Sequence, residues 1–399
     1  MIEAYQKFFG TPGAAQAAAG GLRHIFSPYR VCPLGAHVDH QHGLVTGFAI
    51  DKGVDLVYTP TDDGSVELRS LSFEGEVSFS VLNPTLVRQY NWGDYARGAK
   101  FAMQKRFDLK RGIKGVLKGS LPVGGLSSSA AVLIAYVMAF AEANDIRLNA
   151  FEVMKIASEG EREYIGLSNG LLDQACIALG KKDNLLMLDC DSDEYRLIPR
   201  NPAMPEFEIG IFFSGLTRNL QSSDYNLRVS ECRTAAWCIQ AYTDVPLKPL
   251  NKTYLRDVPK KQFDQYKDRV PERFVRRAEH FYTEYRRVRE GVTAWESGNI
   301  EWFGSLVNAS CESSIHYYEC GSPELIAIHD AMIDTKGIYG GRFSGAGFKG
   351  ACVALVNPAR KEEIQQSITE RYLARFPQYR DTFQVWFVRS DDGARFIQD

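Results

Sequence analysis

Between Leu121 and Val132 the chain reads Leu-Pro-Val-Gly-Gly-Leu-Ser-Ser-Ser-Ala-Ala-Val, a glycine turn running into three serines and an alanine-rich stretch. That order describes an anion site. Gly124 and Gly125 are expected to take φ > 0 and let the backbone approach a ligand. Ser127, Ser128 and Ser129 are favoured N-cap residues, and Ala130–Ala143 is helix-compatible. A helix start presents free N–H groups and the positive end of its dipole, which suit a phosphate. No Gly-Lys-Ser/Thr follows the glycines, so this is not a P-loop. Taken alone, the pattern more often describes an ordinary capped helix.

Other segments carry further reactive residue types. The stretch Ser27–Gly43 packs Arg30, His37, Asp39, His40 and His42 among Pro and Gly, as in a loop lining a site. A metal site from the three histidines and Asp39 lacks any standard zinc spacing, which leaves hydrogen bonding to a polyol ligand or surface exposure. Met154, Ala157, Glu161 and Ile165 share one face of a helix predicted over Ala150–Ile165. A carboxylate on that apolar face needs a partner, either a magnesium ion or a buried salt bridge. Asp173 opens a short helical stretch, where it is either a cap or a catalytic base. Gly340–Gly350 is a glycine-rich loop before an apolar strand, and by itself no more than a tight turn.

The elements that must position these residues follow from periodicity and punctuation. Strands are expected at Leu44–Ile50, Val54–Thr59, Val66–Ser70, Val77–Leu82, Ile113–Lys118 and Leu185–Asp189. Helices are expected at Asp94–Arg106, Ser128–Ala143, Ala150–Ile165 and Leu171–Leu179. Pro199, Pro202 and Pro205 mark a boundary, which divides the chain into residues 1–203 and 204–399. Beyond it, strands are expected at Phe207–Phe213, Ala351–Val356 and Phe383–Val388. Helices are expected at Leu227–Tyr242, Glu272–Ser297, Ile300–Ser310, Pro323–Asp334 and Glu362–Ala374. The class is α+β in two domains.

The 399 residues carry a formal net charge of −2, which gives no footprint for nucleic acid or an anionic membrane. The arginines at 273, 276, 277, 286, 287 and 289 are expected on a solvated helix face. Eight cysteines without a Cys-x-x-Cys pair read as buried free thiols in a reducing compartment. The Gly10–Gly21 segment lacks the basic start and apolar centre of a signal peptide, and no apolar run spans a bilayer. A cytoplasmic protein without nucleic-acid or membrane partners is expected, as a monomer or weak homo-oligomer.

Three segments in order, Pro28–Gly43, Pro122–Ala131 and Gly341–Gly350, resemble the three motifs of the GHMP sugar and metabolite kinases. The first resembles the galactokinase signature. Cys32-Pro-Leu-Gly-Ala-His37, Tyr225–Cys232, Arg277-Ala-Glu-His280 and Gly337–Gly350 resemble the galacturonokinase branch more closely still. The resemblance implies an N-terminal domain like ribosomal protein S5 domain 2, a ferredoxin-like C-terminal domain, and a site in the cleft between. It implies Arg30 and Asp173 as catalytic residues, and His37, Asp39, Gly170 and Tyr225 as sugar ligands. Gly124, Gly125, Leu126, Ser127 and Ser128 match the ATP phosphate loop, with Trp92 on the adenine side. Ser129 and Glu161 match magnesium ligands, and Gly345 and Gly347 belong to the third-motif loop.

Two departures stand out. The phosphate loop has two residues between Pro122 and Gly125, where the family pattern has three. Galactokinases also carry glutamate where this chain has Ala36, and that glutamate contacts the outer hydroxyls of galactose. Near C6 it would repel a substrate carboxylate, since unit charges about 4 Å apart cost roughly 4 kcal/mol at intermediate dielectric. Alanine removes that repulsion. The reading is an ATP- and Mg²⁺-dependent kinase acting on the anomeric hydroxyl of D-galacturonate. Galactose, arabinose or glucuronate would leave the chemistry unchanged, and a sugar-sensing regulator would bind without turnover. Arg228 and Lys349 are the candidate cations for a uronate carboxylate.

Overall fold

The computed structural model describes residues 1–11, 21–121, 124–167, 169–216 and 222–398. Pro122 and most of the Gly10–Gly21 segment lie outside them. In chain order the elements begin with α1 (Ile2–Phe9), β1 (Arg23–Val31), β2 (Leu44–Thr61), β3 (Ser65–Ser70), β4 (Glu76–Ser80), α2 (Asp94–Gln104) and β5 (Gly112–Gly119). Next come α3 (Ser128–Ala143), α4 (Ala150–Glu159), α5 (Leu172–Leu179), β6 (Asn184–Asp189) and β7 (Tyr195–Pro199). The second half holds β8 (Glu208–Phe213), α6 (Ser222–Gln240), α7 (Lys260–Tyr266), α8 (Glu272–Glu296), α9 (Ile300–Ser313) and α10 (Pro323–Ile333). It closes with β9 (Ile338–Phe343), β10 (Ala351–Val356), α11 (Lys361–Arg375), β11 (Gln384–Val388) and β12 (Arg395–Ile397).

The first sheet runs β12-β1-β2-β5-β3-β4, with β6 on the other half of β2 and β7 beside β6. The second is antiparallel, β11-β8-β10-β9. The class is α+β, as expected. The two strands anticipated at Leu44–Ile50 and Val54–Thr59 are one, β2, because Gly53 lies flush against the backbone of Ser27 and Pro28 instead of making a turn. β1 escapes sequence reading because Pro28 interrupts it; the register against β2 shifts between Pro28 and Arg30, where a proline is tolerated. This irregularity ends at Arg30, whose side chain reaches Asp173 and Gly125.

The 203/204 boundary falls in the connector between β7 and β8, but the last strand crosses back. β12 pairs with β1 in the first sheet, His24 opposite Ile397. The expected helix over Ala150–Ile165 is α4 followed by a π-helical segment, Gly160–Ile165. A second π segment, Ser314–Tyr318, follows α9. Both carry site residues, a placement common for such segments. The arginine face expected on α8 is corrected in part: Arg277 and Arg287 are buried, because acidic partners from Glu231, Glu319 and Glu284 meet them. All eight cysteines are free, and seven are buried. No helix among the described residues is long and apolar enough to cross a membrane.

Candidate active site

The residues around α3 define the anion end of the site. Ser127 holds its N-cap position at φ 58°, yet no side chain caps the helix. The expected serine cap is therefore corrected: the Ser127 hydroxyl donates instead to Asp173 Oδ2. Among the described residues no side chain accepts from the first N–H groups of this sixteen-residue helix, which leaves them available to an anion. Gly125 has φ +93°, as expected, whereas Gly124 does not have a positive φ and faces open space. The Leu126 side chain is buried in the core and its carbonyl accepts from the Arg30 N–H at 3.3 Å, so it anchors the loop.

Gly124, Ser128 and Ser129 line a cleft of about 1150 Å³ shared with Trp92, Tyr95, Lys118, Lys349 and Gly350. The third-motif loop forms one wall. Ser344 Oγ donates to the Gly125 carbonyl at 2.6 Å. Gly345 has φ +66°, and a Cβ there would lie 2.9 Å from Gly125 Cα. Gly347 has φ +76°, and a Cβ there would lie 2.9 Å from Cys320 Sγ, so its glycine serves the loop's packing.

Arg30 links the two halves of the chemistry. Its Nε donates to Asp173 Oδ1 at 2.7 Å, and its terminal nitrogen donates to the Gly125 carbonyl at 2.8 Å. Burial opposes the Arg30 charge, but attraction to Asp173 and their hydrogen bond hold its pKa above the ordinary guanidinium value. Asp173 lies in the first turn of α5 without capping it. It is free to serve as a base.

Asp39 approaches from the other side. Its neighbour must be glycine, since a Cβ on Gly170 would meet Asp39 Cγ at 2.6 Å. Burial, then the nearby Asp173 charge, push the Asp39 pKa up to about 6, against backbone N–H bonds from His40 and Gly170. Glu161 is fully buried on the predicted face. It accepts from Asn169 Nδ2 at 2.8 Å and from Gln174. Burial and Asp173 raise its pKa, while Asn169, Ser129 and Gln174 oppose the rise.

The three histidines of the first motif separate. His42 stacks on Tyr254 at 3.8 Å. His40 bonds the Tyr318 hydroxyl at 3.1 Å and meets the edge of Tyr225 at 6.0 Å. His37, at φ 60°, stacks on Tyr318 at 4.1 Å with Cys320 Sγ 3.6 Å from its Nε2. Burial lowers the pKa of His40 to about 3 and that of His37 well below its usual value, so both rings are neutral near pH 7. Among the described residues no cluster of three His, Cys, Asp or Glu could hold a metal.

Helix α8 grips the loop beside Ala36, a role that sequence reading missed. Glu284 accepts from the Gly35 N–H at 2.7 Å, and His280 Nε2 donates to the Ala36 carbonyl at 2.9 Å. Burial alone would raise the Glu284 pKa; Arg287 and Arg342 hold it down to about 2. The segment Arg277-Ala-Glu-His280 was conspicuous in the sequence, but nothing in it showed a contact across 244 residues. Asn169, Gln174 and Ser344 lie in segments the sequence singles out, but without a role of their own, and Tyr318 was not singled out.

Two family models match the chain: GHMP kinases N terminal domain over residues 94–181, and GHMP kinases C terminal over 292–374. The chain is 38% identical to the galacturonokinase of Arabidopsis thaliana over 95% of this chain and 94% of that one. The chain belongs to the GHMP kinase family. It is also 32% identical to the galactokinase of Limosilactobacillus fermentum, covering 89% and 91% of the two chains. This GHMP kinase superposes on the crystal structure of Lactococcus lactis galactokinase complexed with galactose at TM-score 0.89 and 25% identity, covering 98% of each. The mevalonate kinase of Methanococcus jannaschii shares the fold, at TM-score 0.66 and 17% identity. It is an enzyme of the sugar-kinase type, and GHMP kinases take their phosphate from ATP.

One consequence of the Asp39 environment is measurable without substrate. A carboxyl whose folded pKa is raised costs the folded state stability once it ionises. Asp39→Asn is expected to raise Tm at pH 8. The gain should shrink as pH falls through about 6 and vanish below the ordinary carboxylate range, where neither state is ionised. Thermal melts at pH 4 to 8 check this; an unchanged or lower Tm at pH 8 contradicts it.

Proposed function

We propose that this GHMP kinase transfers the terminal phosphoryl group of ATP to the anomeric hydroxyl of D-galacturonate, giving the 1-phosphate and ADP. The observation that carries the reaction is the guanidinium of Arg30, bonded at once to Asp173 and to the Gly125 carbonyl. One rigid group thus holds the candidate base in register with the phosphate loop. Phosphoryl transfer needs mainly such positioning and charge stabilisation. Asp173 accepts the C1 hydroxyl proton through the lobe that its bonds to Arg30 and Ser127 leave available. The free N–H groups at the start of α3 receive the phosphates, and Trp92 stands on the adenine side of the cleft. His37, Asp39, Gly170 and Tyr225 frame the sugar.

The residues fit a magnesium ion. Glu161 and Ser129 would hold it, and the buried Asn169 Oδ1 and Gln174 Oε1 beside them have no hydrogen-bond partner among the described residues. Oxygen donors of this kind suit a hydrated hard cation. The Asp173 charge is felt by both Asp39 and Glu161, and a divalent ion held by Glu161 and Ser129 would offset it. When bound, the ion neutralises charge on the phosphates.

The uronate reading rests on Ala36 and on charge behind it. Arg228 donates to the Glu319 carbonyl at 3.1 Å, next to the Cys320 that touches His37. Its Nε is buried without a partner among the described residues. Arg228, Arg273, Arg276 and Arg277 share Glu231 and Glu319, with Glu272 reaching Arg276 alone, so four cations face three carboxylates here. Arg228 is the cation we assign to the C6 carboxylate. The likeness to the Arabidopsis galacturonokinase supports the same substrate. Incubation with ATP, magnesium and galacturonate should give a product whose phosphorus couples to the anomeric proton in NMR, and chelation should stop its formation. Phosphate on another carbon, or no ADP release, would refute the proposal.

A further inference from the structure

The loop before α3 lacks the lysine that a P-loop carries, yet a triphosphate needs more than N–H groups to balance its charge. Three cations among the described residues line the cleft: Arg88, Lys118 and Lys349. Arg88 lies over the Tyr90 ring at 4.8 Å and faces Asp94 at 3.9 Å. Lys118 is exposed on β5. Lys349 differs from both. It is half-buried, and no hydrogen bond or ion pair among the described residues involves its ammonium.

Its place in the chain is fixed by the loop that bears it. Gly350, the next residue, has φ +94°, and a Cβ there would lie 2.5 Å from the Gly124 carbonyl oxygen. Ser214 donates to the Gly350 carbonyl from its N–H at 2.9 Å and its hydroxyl at 2.8 Å. Ser344 N–H closes the other end onto the Ala351 carbonyl at 2.9 Å. The backbone of Lys349 is thereby held within a residue of the phosphate loop, on the cleft wall shared with Gly124, Ser128 and Ser129. A lysine held half-buried and unpaired costs side-chain freedom and solvation that a ligand anion would repay.

We propose that Lys349 binds the outer phosphates of the nucleotide, supplying from the third-motif loop the cation that the glycine–serine loop lacks. This deepens the kinase reading and rests on it. It also removes Lys349 from the candidates for the sugar carboxylate and leaves Arg228. A charge contributed across the cleft from the C-terminal half makes nucleotide affinity depend on the third motif. A lysine serves here as a point charge on a flexible stem, so arginine should substitute for it in part.

Isothermal titration of the full chain with MgATP, MgADP, AMP and galacturonate, for wild type and Lys349→Met, tests this. The dissociation constant for MgATP should rise about tenfold or more, the range of a charge-assisted hydrogen bond. Those for AMP and galacturonate should stay within about twofold, and Lys349→Arg should recover much of the MgATP affinity. Unchanged MgATP binding overturns the proposal, as does equal weakening of AMP, or weakening of galacturonate alone. Should Lys349→Met fail to melt cooperatively, Lys349→Gln carries the same comparison. Absence of nucleotide binding by the wild type would instead overturn the kinase reading itself.

Discussion

Asparagine at position 173 should reduce turnover by about 10²- to 10⁴-fold, the usual worth of a positioned general base. Asp173 has the right surroundings for that loss. Arg30 Nε holds Oδ1 at 2.7 Å and the Ser127 hydroxyl holds Oδ2, so the carboxylate is oriented from both ends. Asparagine keeps the size and one acceptor oxygen, but removes the proton acceptor and the partner of the Arg30 charge. Sugar and nucleotide binding should therefore survive within a few fold. Steady-state ADP release alongside calorimetric sugar binding separates the two effects. Turnover near wild type would remove Asp173 from the mechanism, and loss of sugar binding equal to the loss of turnover would make it a ligand only.

Glutamate at position 36 should exchange one substrate for another. Ala36 is buried, and its backbone carbonyl is pinned by His280, so a side chain added there cannot swing clear by moving the loop. A carboxylate about 4 Å from that of a bound uronate costs roughly 4 kcal/mol at intermediate dielectric, or about a thousandfold in kcat/KM. Galactose has no such charge and should lose far less, or gain. Ala36→Gln separates size from charge, because it fills the same space without repulsion. The expected order for galacturonate is Ala36, then Gln, then Glu. Equal losses in the two variants would make the effect steric, and galacturonate turnover unaffected by Glu would remove Ala36 as the determinant.

Much of the site was legible because its chemistry depends on residue type at short range. Glu161 illustrates this: its helix phase put a carboxylate on an apolar face, and it is buried beside Asn169, Gln174 and Ser129. The route to that burial was not legible. A π-helical segment replaces the last turn, and apolar periodicity does not distinguish it from an α-helix. The serines show the opposite failure. Their preference for N-caps is local, but the Ser127 hydroxyl finds Asp173 forty-six residues away, and that tertiary bond takes it from the helix.

The same contrast holds for the fold. Apolar runs such as β8 and β10 announce themselves, since every residue in each is buried. β1 does not, with a proline inside it, and β12 is three residues long and owes its existence to pairing with β1. The grip of α8 on Gly35 and Ala36 is invisible for a related reason. Arg277 reads as part of a solvated helix face, and nothing local marks His280 or Glu284 as buried, until partners from distant segments cover all three. Charge on a helix face shows only that a partner is needed, water or otherwise.

A direct comparison of sugars tests whether this kinase acts on galacturonate. Initial rates of ADP release with ATP and magnesium should be measured for galacturonate, galactose, arabinose and glucuronate. Galacturonate should show the highest kcat/KM, by at least about tenfold over galactose, because Ala36 leaves its carboxylate unrepelled. A preference for galactose would contradict it.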